Sequence, residues 1–325
     1  MKLQNLGEKE LISRIRRDFS TLHPQVIVGI GDDAAIIRPG KKSLIITKDL
    51  LFEGVHFLPS LHPPFFLGRK SLVVNLSDVA AMGGLPKYAL LGLGLPPEMD
   101  SSWLKQYFSG FKSAAVEEGV ALIGGDLSQA KKIIISVTVV GEGENIIQRR
   151  GAEPGDHLFV SGSLGNARQG LILLKKGFRL GDDKKADLFL RAFLDPFPRI
   201  ALGKELSRLN LASSMIDVSD GLSVDLSHLC EESGTGAEIH LSRLPLSPEI
   251  RHFQRQPYRL ALHGGEEYEL LFSVPPEKLR TLSRLQKKFK ISLIGQMIKR
   301  KGIFLIDSQG KRRPLEIKGY QHFQK

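Results

Sequence analysis

An α+β fold divided into two domains is what this sequence predicts, and three observations lead there. Strand-like and helix-like segments alternate in both halves, but without the regular rhythm of a doubly wound sheet. Glycine and proline punctuate GAEPGDHL, residues 151–158, just after an arginine pair, which marks a boundary. The 325 residues are 42% hydrophobic and 25% charged, which gives enough apolar mass for real cores. The expected domains are 1–148 and 149–325.

In the first half, strands are expected at 26–30 (VIVGI), 43–47, 88–95 and 133–140. One helix is expected to open near Ser77 and Asp78 in NLSDVAAMGG and to stop at the glycine pair. A second runs through DSSWLKQYFSGFKSAAVEEG, where Trp103, Tyr107, Phe111 and Ala115 recur every four residues before Gly119. The second half reads as a strand at 157–161, a helix at 165–176, a charged turn at 177–185 and further helix. A strand at 213–217, a helix at 222–233, a helix near 276–289 and strands near 291–297 and 303–307 complete it.

The N-terminal stretch places Leu11, Ile12, Ile15 and Phe19 at helical spacing. Glu8 and Glu10 interrupt it, which is unlike a signal peptide. No apolar run approaches the length of a membrane span. The one cysteine, Cys230, excludes an internal disulfide and sits in a helix as a packing group, so a cytoplasmic location is the expectation. The net charge of +11 is dispersed over short basic pairs with few aromatics between them. That pattern argues against nucleic acid and suits small anionic substrates.

The chemistry lies in the acids. In GIGDDAAII, Asp32 and Asp33 follow an apolar run and a glycine, and Asp49, Asp78, Asp126, Asp217 and Asp220 also follow apolar runs, with Asp225 close behind. Taken singly, each has a plain reading as a helix cap or turn acid. Taken together, carboxylates gathered at strand ends would raise one another's pKa values unless a hard divalent cation such as Mg²⁺ held them along with substrate phosphates. The glycines of GIGDD, AAMGG, LIGGD and LHGGEE suit close approach of backbone N–H groups to phosphate. A Walker A motif, the protein-kinase motifs, a nucleophile elbow and paired zinc cysteines are all missing. From its own context, His56 in FEGVHF belongs to an alternating strand with a structural role, a substrate contact being the alternative.

The ordered set GIGDDAA, EGVHF, VNLSDVAAMGG, LIGGD, GAEPGDHLFVSGSLG, IDVSDGL, GGEEYEL and KGYQHF resembles the thiamine-monophosphate kinase family over nearly the whole chain. SDVAAMG, GGD and SDGL are shared with a wider superfamily of ATP-dependent synthetases; GVHF, the GGE-x-YEL motif and KGY-x-HF point to this member. The resemblance implies ATP as co-substrate, several Mg²⁺ ions, and a homodimer whose N-terminal domains pair strands across the two-fold, beside a C-terminal mixed sheet with helices. It implies metal ligands at Asp33, Thr47, Asp49, Asp78, Asp126, Asp217 and Asp220. ATP contacts are implied at Phe108, Gly125, Asp126, Arg149 and Ser219, and thiamine-phosphate contacts at His56, Glu266 and Tyr320. Asp32 is expected to turn toward backbone N–H groups or solvent.

Three departures stand out. Lys48 replaces a hydroxyl, Glu267 replaces an aspartate of GGED, and Phe108 stands near a tyrosine position, with Tyr107 beside it. The implied reaction is direct in-line transfer of the γ-phosphate to a phosphate oxygen that is already anionic, so no general base is expected. The alternatives are a superfamily enzyme acting on another acceptor, or a non-catalytic nucleotide-binding protein.

Overall fold

The computed structural model describes residues 26–28, 32–33, 35–38 and 42–320. The expected N-terminal helix, residues 29–30 of the first expected strand, and His322 and Phe323 of the last motif lie outside them. The first sheet has six strands: β1 (Val26–Val28), β2 (Ala35–Ile37), β3 (Ser43–Phe52), β4 (Leu85–Leu95), β5 (Ala121–Gln129) and β6 (Ile134–Gly143), in the order β1-β2-β3-β6-β4-β5. All its pairings are antiparallel except that of β4 with β5.

Seven strands make the second sheet. They are β7 (His157–Ser161), β8 (Ser214–Val218), β9 (Gly236–His240), β10 (Glu269–Val274), β11 (Ile291–Ile298), β12 (Gly302–Ile306) and β13 (Arg312–Pro314), in the order β13-β12-β9-β11-β7-β10-β8. Only β9 and β12 run parallel. The mixed, mainly antiparallel pairing is that of an α+β protein.

Helix α1 (Pro64–Ala81) lies between the two sheets. Its residues Leu72, Leu76 and Val79 share one apolar core with Val137 and Val139 of the first sheet and Met215 and Phe272 of the second. A helix surrounded by protein has no polar face to give away, which is why LVVNLSDVAA carries no amphipathic stripe. For the same reason the expectation of a helix starting at Ser77 fails. The helix begins at Pro64, a residue pre-set for the first turn, and runs through the β-branched pair Val73 and Val74. Asp78 therefore lies in the last turn and does not cap an N-terminus.

Other differences have similar causes. β3 runs five residues past the expected end, so Asp49 lies inside a strand, and Asp126 lies inside β5. The rule of acids at strand ends holds less well than expected, because a polar residue facing a site does not end a strand. His56 belongs to a tight turn after β3, where Gly54 has φ 85°, instead of an alternating strand. β9 and β10 were not expected; the fully buried ELLFSV has no alternation to reveal it.

Helix α2 (Ser101–Glu117) is capped by Asp100, whose carboxylate accepts from the Ser102 amide at 2.6 Å, and it crosses α1 closely. A Cβ at Gly110 would stand 1.8 Å from the Phe65 carbonyl oxygen, and one at Gly68 would stand 2.0 Å from that of Tyr107. Among the described residues the remaining α-helices belong to the second half: α3 (Asn166–Lys175), α4 (Lys184–Leu194), α5 (Ile200–Arg208), α6 (Leu222–Ser233), α7 (Ile250–Phe253), α8 (Pro257–His263) and α9 (Leu279–Leu285). Cys230 is buried in α6, and burial pushes its thiol up to about 12, the state of a packing group. Among the described residues no helix is long and apolar enough to cross a membrane.

The α1–α2 crossing yields a stability prediction. Gly110→Ala must push two helix backbones apart, so a loss of about 2–4 kcal/mol is expected in denaturant unfolding. Ala115→Gly, farther along the same helix, should cost only about 1 kcal/mol.

Candidate active site

The site is built on α1. Over about two turns of this helix, four polar side chains between Ser71 and Asp78 each meet a partner from another element. Ser71 Oγ donates to the Gly68 carbonyl at 2.9 Å and shares a hydrogen bond with the Tyr107 hydroxyl at 2.8 Å. Asn75 accepts from the Asp49 amide at 3.1 Å and donates to the Ser71 carbonyl at 3.3 Å. Ser77 Oγ donates to Asp217 Oδ2 on β8 at 2.6 Å, while Asp78 accepts from Thr47 Oγ1 on β3 at 2.5 Å. Residues from both halves of the chain are thus fixed to one rigid rod.

The Ser77 and Thr47 bonds hold Asp217 and Asp78 beside Asp33, with one ligand oxygen from each lying within 4.8 Å of the others. Burial first, and then the charges of Asp49, Asp217 and Asp33, push Asp78 well above the usual carboxylate range. Asp217 is pushed up to about 8 by burial and by Asp33, and Asp49 to about 6 by burial. Arg149 supplies one compensating charge. Its guanidinium pairs with Asp33 and stands 3.9 Å from Asp32. Asp33 Oδ2 is buried with no hydrogen-bond partner. Three converging carboxylates and an orphaned buried oxygen form a donor set suited to a hard divalent cation. Asp32 takes the other role: it accepts from the Asp33 amide at 2.9 Å and the Arg149 amide at 3.4 Å.

A cleft of about 750 Å³ opens beside this cluster, lined by Asp49, Asp78, Asp217, Ser219, Asp220, His56, Glu266 and Tyr320 among others. The first five are expected metal or nucleotide residues and the last three are expected acceptor residues, so both sets reach one cavity. His56 Nδ1 accepts from the Phe52 amide at 3.0 Å, which places the proton of the neutral ring on Nε2. Its ring centroid is 6.2 Å from that of Tyr320. Tyr320 is held by its own amide, which donates to the Asp220 carbonyl at 3.1 Å.

The GGEEYEL loop is shaped by two residues in the left-handed region, Glu266 (φ 66°) and Tyr268 (φ 51°). Such backbone costs about 1–3 kcal/mol per residue and persists where its surroundings dictate it. Here the Glu266 and Tyr268 amides donate to the Ser219 and Val218 carbonyls at 2.7 and 2.9 Å. A Cβ on Gly265 would meet the Ser219 oxygen at 2.5 Å. The alternation sends Glu266 to the cleft and Glu267 away from it. Glu267 accepts from the Ala167 amide at 3.2 Å, at the start of α3. The departure from GGED therefore falls on a helix terminus, outside the carboxylate cluster.

Lys48 is exposed on β3 and lines the cleft mouth. Tyr107 is buried against Ser71, so its hydroxyl does not face the site; Phe108 packs at the core edge. Phe108, Gly125 and Asp126 do not line the cleft. Gly125 and Asp126 lie on the edge strand β5, where a Cβ on Gly125 would meet the Leu91 carbonyl at 1.9 Å. Sequence reasoning missed Lys70, His62, Arg168, Lys175 and Tyr268. Lys70 left one signal, its place in an Arg-Lys pair that interrupts the apolar run LGRKSLVV.

Known proteins align with this geometry. The description "AIR synthase related protein" matches in both its N-terminal domain, over residues 31–142, and its C-terminal domain, over residues 153–308. The thiamine-monophosphate kinase of Aquifex aeolicus is 38% identical over 99% of this chain and 100% of its own. That of Escherichia coli K12 is 38% identical over 98% of each. The solved structure of AaThiL complexed with AMPPCP and TMP superposes with a TM-score of 0.89, at 37% identity over 99% of both chains.

Glu267 gives a pH prediction. Burial pushes it up to about 8, so its favourable, protonated contribution is complete below its unfolded value and is lost as pH rises through about 8. Glu267→Gln keeps an acceptor and removes the charge. It should match the wild type in Tm near pH 5 and exceed it by about 2–4 °C near pH 9, measured by calorimetry in matched buffers.

Proposed function

Since the chain belongs to the thiamine-monophosphate kinase family, we propose that it phosphorylates thiamine monophosphate to thiamine diphosphate with ATP, by direct in-line transfer and with Mg²⁺. The observation that carries this reading is the meeting of the acid cluster with His56, Glu266 and Tyr320 in one cleft. Asp33, Asp78 and Asp217 would hold the metal, with Thr47, Asp49, Asp126 and Asp220 as further ligands. When bound, Mg²⁺ would supply positive charge that offsets the charge of the phosphates.

The chain's own groups orient and screen. Phosphate has a second pKa near 6, so the attacking oxygen is already anionic at neutral pH. No side chain needs to remove a proton, and the work left to the protein is bringing two anions into line. Arg149, anchored on Asp33 and Asp32, offers a fixed cation beside the cluster, and together with Ser219, Phe108 and Gly125 it is assigned to ATP. His56 with its Nε2–H, the Glu266 carboxylate and the Tyr320 ring are assigned to the acceptor. An acceptor other than thiamine monophosphate is the second reading, since the superfamily motifs are shared.

We assign a homodimer in which the first sheet pairs across a two-fold. The whole of β5 is exposed, including Leu122, Ile123 and Leu127, and Tyr88 and Leu90 on the adjacent β4 and Leu50 and Phe52 on β3 are exposed as well. An apolar sheet face of this kind beside an unpaired edge calls for a partner. The division at residues 148 and 149 falls between β6 and β7, and a cytoplasmic location suits a cofactor-synthesis enzyme with one buried thiol.

Incubation with ATP, Mg²⁺ and thiamine monophosphate should yield thiamine diphosphate by chromatography; turnover only with a different acceptor would overturn the assignment. Asp78→Asn should lower turnover at least ~100-fold while circular dichroism shows the fold retained. Ile123→Asp should shift sedimentation from dimer to monomer.

A further inference from the structure

Lys70 is almost fully buried, 4% exposed, on the helix that carries Asp78. A buried ammonium is retained only where its donors are used. Nζ donates to the Phe193 carbonyl at 2.8 Å and stands 3.9 Å from the centroid of the Phe193 ring. Its remaining ionic partner is Glu266, at 3.1 Å. Glu266 comes from the other half of the chain, from the strained loop, and is the one acid on the acceptor side of the cleft that α1 reaches directly.

The positions on α1 matter. Lys70, Val74 and Asp78 are spaced four residues apart and so form one stripe on the helix. Asp78 belongs to the acid cluster where the metal is assigned, Val74 lines the cleft, and Lys70 grips Glu266 from behind the wall. Eight residues of helix span about 12 Å. One rigid element therefore sets the separation between the phosphoryl-transfer centre and the carboxylate assigned to the acceptor.

Resting on the assignment of Glu266 to the acceptor, we propose that Lys70 is a positioning residue: it fixes the Glu266 carboxylate at a set distance from the metal cluster and so sets affinity for thiamine monophosphate. Its action is on the acceptor and not on ATP, because Lys70 touches neither the acid cluster nor Arg149. The pair also explains how a glutamate with left-handed backbone keeps one orientation while 32% of its side chain is exposed.

The test is a double-mutant cycle on the full-length protein with Lys70→Met, Glu266→Gln and the double variant. Methionine fills the same volume and keeps the Phe193 packing; circular dichroism checks each fold, and Lys70→Gln replaces any variant that fails to fold. Lys70→Met should raise KM for thiamine monophosphate about tenfold and leave KM for ATP within twofold of wild type. In the Glu266→Gln background the same change should move KM by less than twofold. Equal losses in both backgrounds, equal rises in both KM values, or an unchanged KM in a folded variant would overturn the proposal. Absence of thiamine monophosphate turnover by the wild type would instead overturn the functional assignment on which it rests.

Discussion

Three carboxylates held within reach of one cation repel one another, and much of the molecule is arranged to hold them there. Asp33 approaches from the turn before β2, Asp78 from the last turn of α1, and Asp217 from β8 at the edge of the second sheet. No one of these elements could hold the others. The position of each acid is fixed by a hydroxyl or a cation: Thr47 on Asp78, Ser77 on Asp217, Arg149 on Asp33. Burial strengthens these bonds and at the same time raises the cost of leaving the charges uncompensated. The same buried residues therefore serve the packing of the fold and the convergence of the acids.

Helix α1 makes the arrangement possible. It is buried against both sheets, so its polar residues are not solvated decorations but cross-links. Asn75 holds the backbone of β3, Ser77 holds β8, and Lys70 holds the GGEEYEL loop. The close glycine crossing with α2 brings that second helix against its outer side. A shift of the rod would disturb the acid cluster and Glu266 together, and this couples the two ends of the cleft without a separate signalling device.

The sequence carried a good deal of this. The acids stood out because aspartates beside glycine and hydroxyl residues recur too often for capping alone, and their order matched a family pattern from Asp33 to Tyr320. The orientation of the Asp32–Asp33 pair was also legible: neighbouring residues on extended chain point opposite ways, so one acid meets the cluster and the other meets backbone amides. The end of the helix around Asp78 was legible from the glycine pair, but its start at Pro64 was not, since periodicity reports a boundary between apolar and polar faces and α1 has no such boundary. Glu267 looked like an altered site residue, yet the left-handed backbone on either side of it turns it toward α3.

By itself, then, the sequence determined the residue chemistry: acids without a general base, glycines where backbones must touch, and a motif order that selects a family. Tertiary structure alone decided which hydroxyls and which guanidinium hold the clustered acids, that His56 presents Nε2 from a turn, and that a lysine in an apolar run reaches Glu266 across the molecule. The reason is distance along the chain. Local propensity and spacing act over a few residues, whereas Ser77 and Asp217, or Lys70 and Glu266, are brought together only by packing two sheets on one helix.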